Sequence, residues 1–177
     1  MITAAHSPAG APSRSEEPGA RYDRLRRQLI ALAGVVTVLA LIHHADHVIR
    51  GDLVVSYGLD RDWNHSGWPF QAPVTPFTAS LAVYLLLVPG IAFTARGRLW
   101  AGYWIGASLV LAAIIVLVHF APGPKAETPA VIYTTYRESS GSALAGVLAL
   151  VDVFAIVAGL LALLVTAVRA RLVTGRW

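Results

Sequence analysis

The chain of 177 residues is 56% hydrophobic and only 14% charged, with a formal net charge of +4 and no cysteine. Soluble domains carry about 25% charged residues, so this composition argues against an ordinary soluble domain. The lack of cysteine excludes disulfides, thiolate metal ligands and thiol catalysis. The apolar residues form continuous runs without two-residue alternation, which favours helices over a transmembrane β-barrel.

The first 20 residues are rich in Ala, Pro, Gly and Ser, and residues 1–22 are therefore predicted to form a disordered cytoplasmic segment. Four apolar segments follow, each near or above the length of about 20 residues that crosses a bilayer. The sequence thus predicts an all-α integral membrane protein. Its single domain, residues 23–172, is an up-down bundle of four transmembrane helices, with a cytoplasmic tail at 173–177. The predicted helices cover residues 29–50, 75–94, 99–120 and 143–168.

The distribution of basic residues predicts the orientation of this bundle. Ten arginines fall before the first helix, between the second and third, or after the fourth, whereas the opposite side holds only four basic residues, Arg50, Arg61, Lys125 and Arg137. Basic residues accumulate on the cytoplasmic side of membrane proteins. We therefore expect a multi-pass protein of the cell membrane with both termini in the cytoplasm. The positive charge is explained by topology and does not indicate a nucleic-acid partner.

Two outer segments, residues 51–74 and 121–142, are long for simple helix connections and carry many aromatic and polar residues. Such segments are functional more often than simple connectors are. We expect them to be loops that cover a polar pocket, with Trp63, Trp68 and Tyr133 as its walls. The stretch Glu127-Thr128-Pro129 is predicted to form a turn.

The strongest signal is the stretch "LIHHADHVIRGD", residues 41–52, at the outer end of the first helix. With His43 at 0° on a helical wheel, His47 falls at about 40°, Arg50 at about −20° and Asp46 at about −60°. These four residues share one face, whereas His44 points about 100° away. Two imidazoles spaced i, i+4 on a helix can bind one metal ion. Asp46 is either a third ligand or a partner that orients an imidazole, and Arg50 is expected to neutralise it.

Other polar residues are predicted at the same end of the bundle. His119 ends the third helix, His65 belongs to the first outer segment, and Asp152 lies about nine residues into the fourth helix. Ionisable residues at bilayer depth face the interior of a bundle and need partners. For Asp152 the expected partner is an imidazole or one of three tyrosines, Tyr57, Tyr133 and Tyr136.

These residues predict a cofactor site at the outer leaflet. His43, His47 and His119 are its expected ligands, with His65 as a further metal ligand, Asp46 and Asp152 as catalytic carboxylates, and Arg50 in the substrate pocket. Imidazole and carboxylate ligands without sulfur suit Fe, Zn or Cu, and two axial histidines would also suffice for haem b. The expected function is a small redox or hydrolytic membrane enzyme that acts on a lipid-soluble substrate.

Two other functions remain open from the sequence. A metal-free isomerase or cyclase would use Asp46, Asp152 and Glu127 as acid and base, with burial adjusting their protonation. Alternatively, the chain is a non-catalytic subunit of a larger membrane complex, and the sequence sets no limit on homo-oligomer formation. HxxxH alone is not specific enough to name a family.

Overall fold

The computed structural model of the protein describes residues 18–57, 80–120 and 127–175, and within these ranges the chain folds only into helices. We number five helices in chain order. They are α1 (Pro18–Tyr57), α2 (Ala82–Ala95), α3 (Ala101–Phe120), α4 (Pro129–Ser140) and α5 (Ala143–Thr174).

Three of these helices are long and apolar enough to cross a membrane, over Gly19–Gly51, Ala101–Phe120 and Ala143–Val173. The second helix, predicted over 75–94, is apolar but spans only 14 residues within the described part of the chain. A helix of that length covers about 21 Å, less than the hydrocarbon core of a bilayer. The described residues therefore support a helical protein with three candidate spans rather than an up-down bundle of four.

The outer segment 121–142, predicted to be a loop that covers a pocket, contains a helix, α4, in its second half. The Thr128 side chain accepts a hydrogen bond from the Val131 backbone, Pro129 occupies the first turn, and Gly141 closes the helix in a left-handed conformation with φ of 66°. Each of these is a favoured helix-end signal. The helix is amphipathic, because Ile132, Thr135, Tyr136 and Ser139 are its buried residues. Its sequence is as polar as that of a loop because the other face of the helix is exposed.

The first helix begins earlier than the apolar run alone indicates. α1 starts at Pro18 and so includes residues 18–22 of the segment predicted to be disordered. Two of its early side chains reach the connection between α2 and α3: the Tyr22 hydroxyl donates to the Gly97 carbonyl at 3.3 Å, and Arg26 donates to the Ala95 carbonyl at 3.3 Å. These contacts fix the start of α1 at the end of the bundle opposite the histidines.

The centre of the fold is the pair formed by α1 and α5, and α5 also packs against α3 and α4. The two helices pack tightly at Gly159, where an added Cβ would lie 2.7 Å from Val36 Cγ2. Large aliphatic side chains such as Leu29, Leu160 and Leu163 are almost completely buried at this interface. The opposite faces expose aliphatic side chains, including Val38 at 55% and Leu148 at 59%. A buried seam with an apolar outer surface suits helices packed in lipid.

Candidate metal centre

A row of polar side chains on one face of α1 points into the interior of the protein. His43, His47 and Arg50 are 7%, 5% and 0% exposed, and their i, i+4 and i+7 positions place them in one row along the helix. Full burial of such groups is rare unless they have partners. The nitrogen atoms of these buried side chains therefore need polar or charged partners.

Three imidazoles converge on one point. His43 Nε2 lies 3.0 Å from His47 Nε2 and 3.2 Å from Nε2 of His119, which is only 1% exposed at the end of α3. The ligand atoms of all three residues lie within 4.8 Å of one another, a spacing that can hold a metal ion. Two nitrogens bound to one tetrahedral metal at 2.0–2.1 Å would stand about 3.3 Å apart. The observed separations are close to that value.

The other nitrogen of each ring faces an oxygen. His119 Nδ1 donates to the Glu127 backbone carbonyl at 2.9 Å, His47 Nδ1 lies 3.0 Å from Glu127 Oε1, and His43 Nδ1 lies 3.5 Å from Asp152 Oδ2. Carbonyl and carboxylate oxygens only accept, so the two contacts of Glu127 favour a proton on Nδ1 of His119 and of His47. These two rings then direct their Nε2 lone pairs at His43, whose own Nδ1 is too far from Asp152 for a normal hydrogen bond. Metal-binding histidines have this arrangement, with the second nitrogen held by an oxygen acceptor.

Glu127 links the imidazoles to a charged network on α1. Besides His47, its carboxylate accepts from Arg50 Nη2 at 3.2 Å, and it is only 3% exposed. Arg50 also donates to Asp46 Oδ2 at 2.6 Å, and Asp46 Oδ1 accepts from the Tyr136 hydroxyl at 2.5 Å. Both oxygens of Asp46 are therefore engaged away from the three imidazoles. This network connects α1 to α4 and to the residues just before it.

The Tyr136 hydroxyl acts as a fixed donor in this network. Burial is the main cause that raises its pKa, and the hydrogen bond to Asp46 raises it further. Because the phenol of Tyr136 stays protonated well above neutral pH, it donates to the carboxylate of Asp46 throughout the physiological range.

His44 takes no part in the three-imidazole cluster, as the helical wheel predicts. Its Nδ1 donates to the Ala40 carbonyl at 2.7 Å and lies 2.9 Å from the Tyr84 hydroxyl, while its Nε2 lies 2.8 Å from the Ser80 hydroxyl. These contacts attach α1 to the start of α2. His44 is nevertheless as buried as its neighbours, at 9% exposure, which makes it a matched reference for them.

A cavity of about 90 Å³ adjoins the imidazoles. Its outer end is polar, with the three clustered histidines, His44, Ser80 and Glu127, and the rest of its wall is aliphatic. The aliphatic lining comes from α1, α2, α3 and α5: Val36, Ala40, Val83, Leu111, Ile114, Ile115, Val118, Ile156 and Leu160. The site thus combines a set of nitrogen ligands with an apolar space beside it.

The remaining predicted site residues have different positions. Arg50 is outside the cavity lining, behind Glu127, and Tyr133 packs against Gly146 of α5, where an added Cβ would lie 3.1 Å from its ring. Asp152 has the imidazole of His43 as its neighbour, which is one of the two kinds of partner predicted for it. Trp63, Trp68 and His65 lie outside the described residues, as does the first outer segment from residue 58 onwards.

Glu127 is the residue that the sequence analysis undervalued. The prediction of a turn at Glu127-Thr128-Pro129 is compatible with its place just before α4, but its carboxylate and carbonyl contact two histidines and Arg50. The available signal was the helix-start pair Thr128-Pro129, which fixes the backbone of the preceding residue. For the contacts of Ser80 and Tyr84 with His44 we find no signal in the sequence.

Comparison with known proteins adds no family to this description. No protein-family model, no curated protein and no solved structure matches the chain. The functional argument therefore depends on the site itself.

Proposed function

We propose that the protein binds one divalent transition-metal ion through His43, His47 and His119, and that it is a small membrane enzyme that uses this metal on a lipid-soluble substrate. The observation that carries the proposal is the convergence of three Nε2 atoms whose rings each have an oxygen near Nδ1, at 2.9, 3.0 and 3.5 Å. A metal ion at the point where the three nitrogens meet would accept all three lone pairs, whereas a single proton there can join only two of them.

The charges around the cluster support a divalent ion. Asp46, Glu127 and Asp152 carry three negative charges when ionised, and Arg50 is the one cationic side chain in contact with them among the described residues. With neutral imidazoles, the charges of these four side chains sum to minus two. Uncompensated charge in a membrane protein interior is costly. A divalent ion at the three imidazoles would bring the group to neutrality.

The open side of the cluster supports catalysis over a purely structural role. Structural zinc sites are closed by four protein ligands, whereas catalytic ones have three and leave a position for water or substrate. Here three histidines face the cavity, which leaves that position toward an apolar space. Zn, Fe and Cu all accept imidazole ligands. The bound ion would supply Lewis acidity and activation of water, or redox chemistry in the case of iron or copper.

Haem b is a weaker proposal than a single ion. Two axial imidazoles must lie on opposite faces of a flat macrocycle, whereas here His43 Nε2 lies 3.0 and 3.2 Å from the other two Nε2 atoms. A cavity of about 90 Å³ also leaves no space for a porphyrin. A single ion suits three nitrogens that lie within 4.8 Å of one another.

The proposal includes a membrane topology. We infer that α1, α2, α3 and α5 cross the cell membrane, with the predicted crossing at 75–94 including α2, and that α4 lies at the outer surface. An even number of crossings places both termini on one side, and the excess of arginine places that side in the cytoplasm. The contacts of Tyr22 and Arg26 with the α2–α3 connection agree with this arrangement.

The test is elemental analysis of detergent-purified protein after dialysis. We expect about one equivalent of a transition metal in wild type and a loss of most of it in His43→Ala, His47→Ala and His119→Ala. His44→Ala is the matched control, since it changes a neighbouring buried histidine that contacts Ser80 and Tyr84 instead, and it should retain the metal. A folded wild type that takes up no metal, even after incubation with Zn²⁺ or Fe²⁺, would contradict the proposal. The pair His43 and Asp152 would then be tested as a metal-free acid–base site.

A further inference from the structure

The cavity beside the cluster has a definite shape. Rows of side chains on three helices line it: Val36, Ala40 and His43 on α1, Leu111, Ile115 and His119 beside a second row of Ile114 and Val118 on α3, and Ile156 and Leu160 on α5. Residues spaced by three or four lie in line along a helix. The cavity is therefore a slot that runs parallel to the helix axes.

The slot has a polar end and a closed apolar end. From His43 to Val36 it extends over seven residues of α1, or about 10 Å at 1.5 Å per residue. At Val36 it is closed by the tight contact of α1 with α5, where Gly159 leaves no space for a Cβ. Its volume of about 90 Å³ is several times the 10–15 Å³ that one water needs, but its aliphatic lining offers water no partners. An apolar, elongated occupant fits this space.

One side of the slot is partly open in the part of the chain that the structure describes. Ser80 just before α2 and Val83 within it are partly exposed, and Ile114 on α3 is 36% exposed. With the helices across the membrane as proposed above, a ligand dissolved in the bilayer would enter the slot from this side.

We propose that the slot binds the tail of a single-chain lipid whose oxygen-bearing head group (hydroxyl, carbonyl or carboxyl) lies at the three histidines. This inference rests on the metal site proposed above and names the substrate class of that site. A volume of about 90 Å³ favours a slender alkyl chain over a bulkier fused-ring lipid. The tail would lie along Ala40, Ile156 and Leu160, and the head group would occupy the open position of the metal.

The experiment uses protein loaded with Co²⁺, whose visible spectrum reports changes in its ligands. Two hydroxamates, which share one metal-binding head group, are titrated in the same detergent: acetohydroxamate and octanohydroxamate. Ala40→Leu partly fills the middle of the slot, and Ala31→Leu, an identical change at an exposed position of the same helix, is its control. Comparing each variant with wild type cancels the partition of the longer ligand into detergent.

We expect Ala40→Leu to weaken the binding of octanohydroxamate by about tenfold, because the tail of this ligand and the added side chain compete for the same space. Acetohydroxamate should bind to that variant as it does to wild type, and Ala31→Leu should change neither ligand. If Ala40→Leu fails to hold Co²⁺, Leu160→Phe, which narrows the deep end of the slot, replaces it in the same comparison.

Two failures are distinguishable. If wild type binds Co²⁺ and the filled variants bind octanohydroxamate as tightly as wild type does, the lipid-tail inference is overturned and the metal site is left intact. A wild type that binds no Co²⁺ would overturn the metal site, and with it this inference.

Discussion

Glu127 Oε1 lies 3.0 Å from His47 Nδ1, and this contact joins the residue that precedes α4 to the middle of the buried face of α1. The same residue orients His119 through its backbone carbonyl and accepts from Arg50 through its other carboxylate oxygen. One residue therefore positions two of the three imidazoles of the proposed metal site and neutralises a buried cation. The position of α4 and the geometry of the proposed metal site depend on each other through Glu127.

Changing Glu127 to Gln should weaken metal binding without removing a ligand. Glutamine preserves the shape and one acceptor but removes the negative charge that faces His47 Nδ1. Loss of such an outer partner typically lowers metal affinity by about 10–100-fold. Competition against a chromophoric chelator, with detergent-purified protein, measures the change.

Glu138→Gln is the control for this variant, because Glu138 is a half-exposed carboxylate on α4 beside Arg137. It should leave the affinity unchanged. Equal metal affinity in Glu127→Gln and wild type would show that Glu127 does not orient the cluster.

The hydrogen bond from Tyr136 to Asp46 is expected to stabilise α4 on α1. Tyr136→Phe removes the donor and leaves a carboxylate oxygen unpaired, and a hydrogen bond to a charged group contributes about 1.5–3 kcal/mol. For a chain of this size we expect the thermal midpoint to fall by roughly 3–12 °C. Tyr133→Phe, one turn earlier on α4, should change it little. Full metal content in Tyr136→Phe would assign Asp46 and Tyr136 a structural role, and a loss of metal with an unchanged midpoint would contradict it.

The raised pKa of Tyr136 also predicts a pH dependence. Because its folded pKa lies above the unfolded value of about 10, the folded state retains the phenol proton where the unfolded state loses it. Stability from this group is therefore complete below about pH 10 and declines as the pH rises beyond it. Thermal midpoints measured from pH 8 to 11 should fall more steeply for wild type than for Tyr136→Phe. Parallel curves would mean that Tyr136 has no such effect.

Gly90 should be intolerant of a side chain. An added Cβ would lie 2.6 Å from a ring carbon of Tyr103 and 2.9 Å from Trp104, which is 1% exposed and donates to Thr94. Gly90→Ala forces these rings apart, and overpacking of this kind costs about 1–3 kcal/mol. At Gly34 nothing lies within 4 Å of an added Cβ, so Gly34→Ala should be neutral or stabilising. The thermal midpoint should therefore fall in Gly90→Ala and stay unchanged or rise in Gly34→Ala, and equal shifts would contradict the close contact of α2 with α3.

The sequence was sufficient for the parts of the site that follow from one helix and its depth. The i, i+4 spacing of His43 and His47, with His119 predicted at the same level, gave the cluster, and its convergence is confirmed. The separation of His44 followed from the helical wheel. Whether the cluster binds a metal stays a prediction, because the chain alone specifies ligand positions and not their occupant.

The parts that were missed depend on residues distant in sequence. The criterion of about 20 apolar residues recognises helices that cross a bilayer, and an amphipathic helix such as α4 does not meet it. The contact of Tyr136 with Asp46 and the role of Glu127 both depend on α4, so a prediction without this helix contains neither. The cap formed by Thr128 and the left-handed Gly141 were the signals present for it.

A substitution at Asp152 can separate the effect of its buried charge on stability from the effect of its packing. Its carboxylate is 8% exposed and faces His43 Nδ1 at 3.5 Å, too far for a normal hydrogen bond. Asp152→Asn preserves the shape and removes one of the negative charges that the metal is proposed to balance. In chelator the variant should be more stable than wild type, because burying an uncompensated carboxylate is costly.

With metal present the same variant should bind the ion more weakly, by about tenfold, since part of the charge that attracts the ion is gone. Thermal unfolding in excess chelator and chelator competition measure the two effects on one preparation. Asp23→Asn, which changes an exposed carboxylate at the other end of α1, is the control and should alter neither. Opposite signs in the two assays would show that Asp152 acts through charge. A loss of stability in chelator would mean instead that Asp152 has a packing role, and that the negative charge around the histidines is already balanced without a metal.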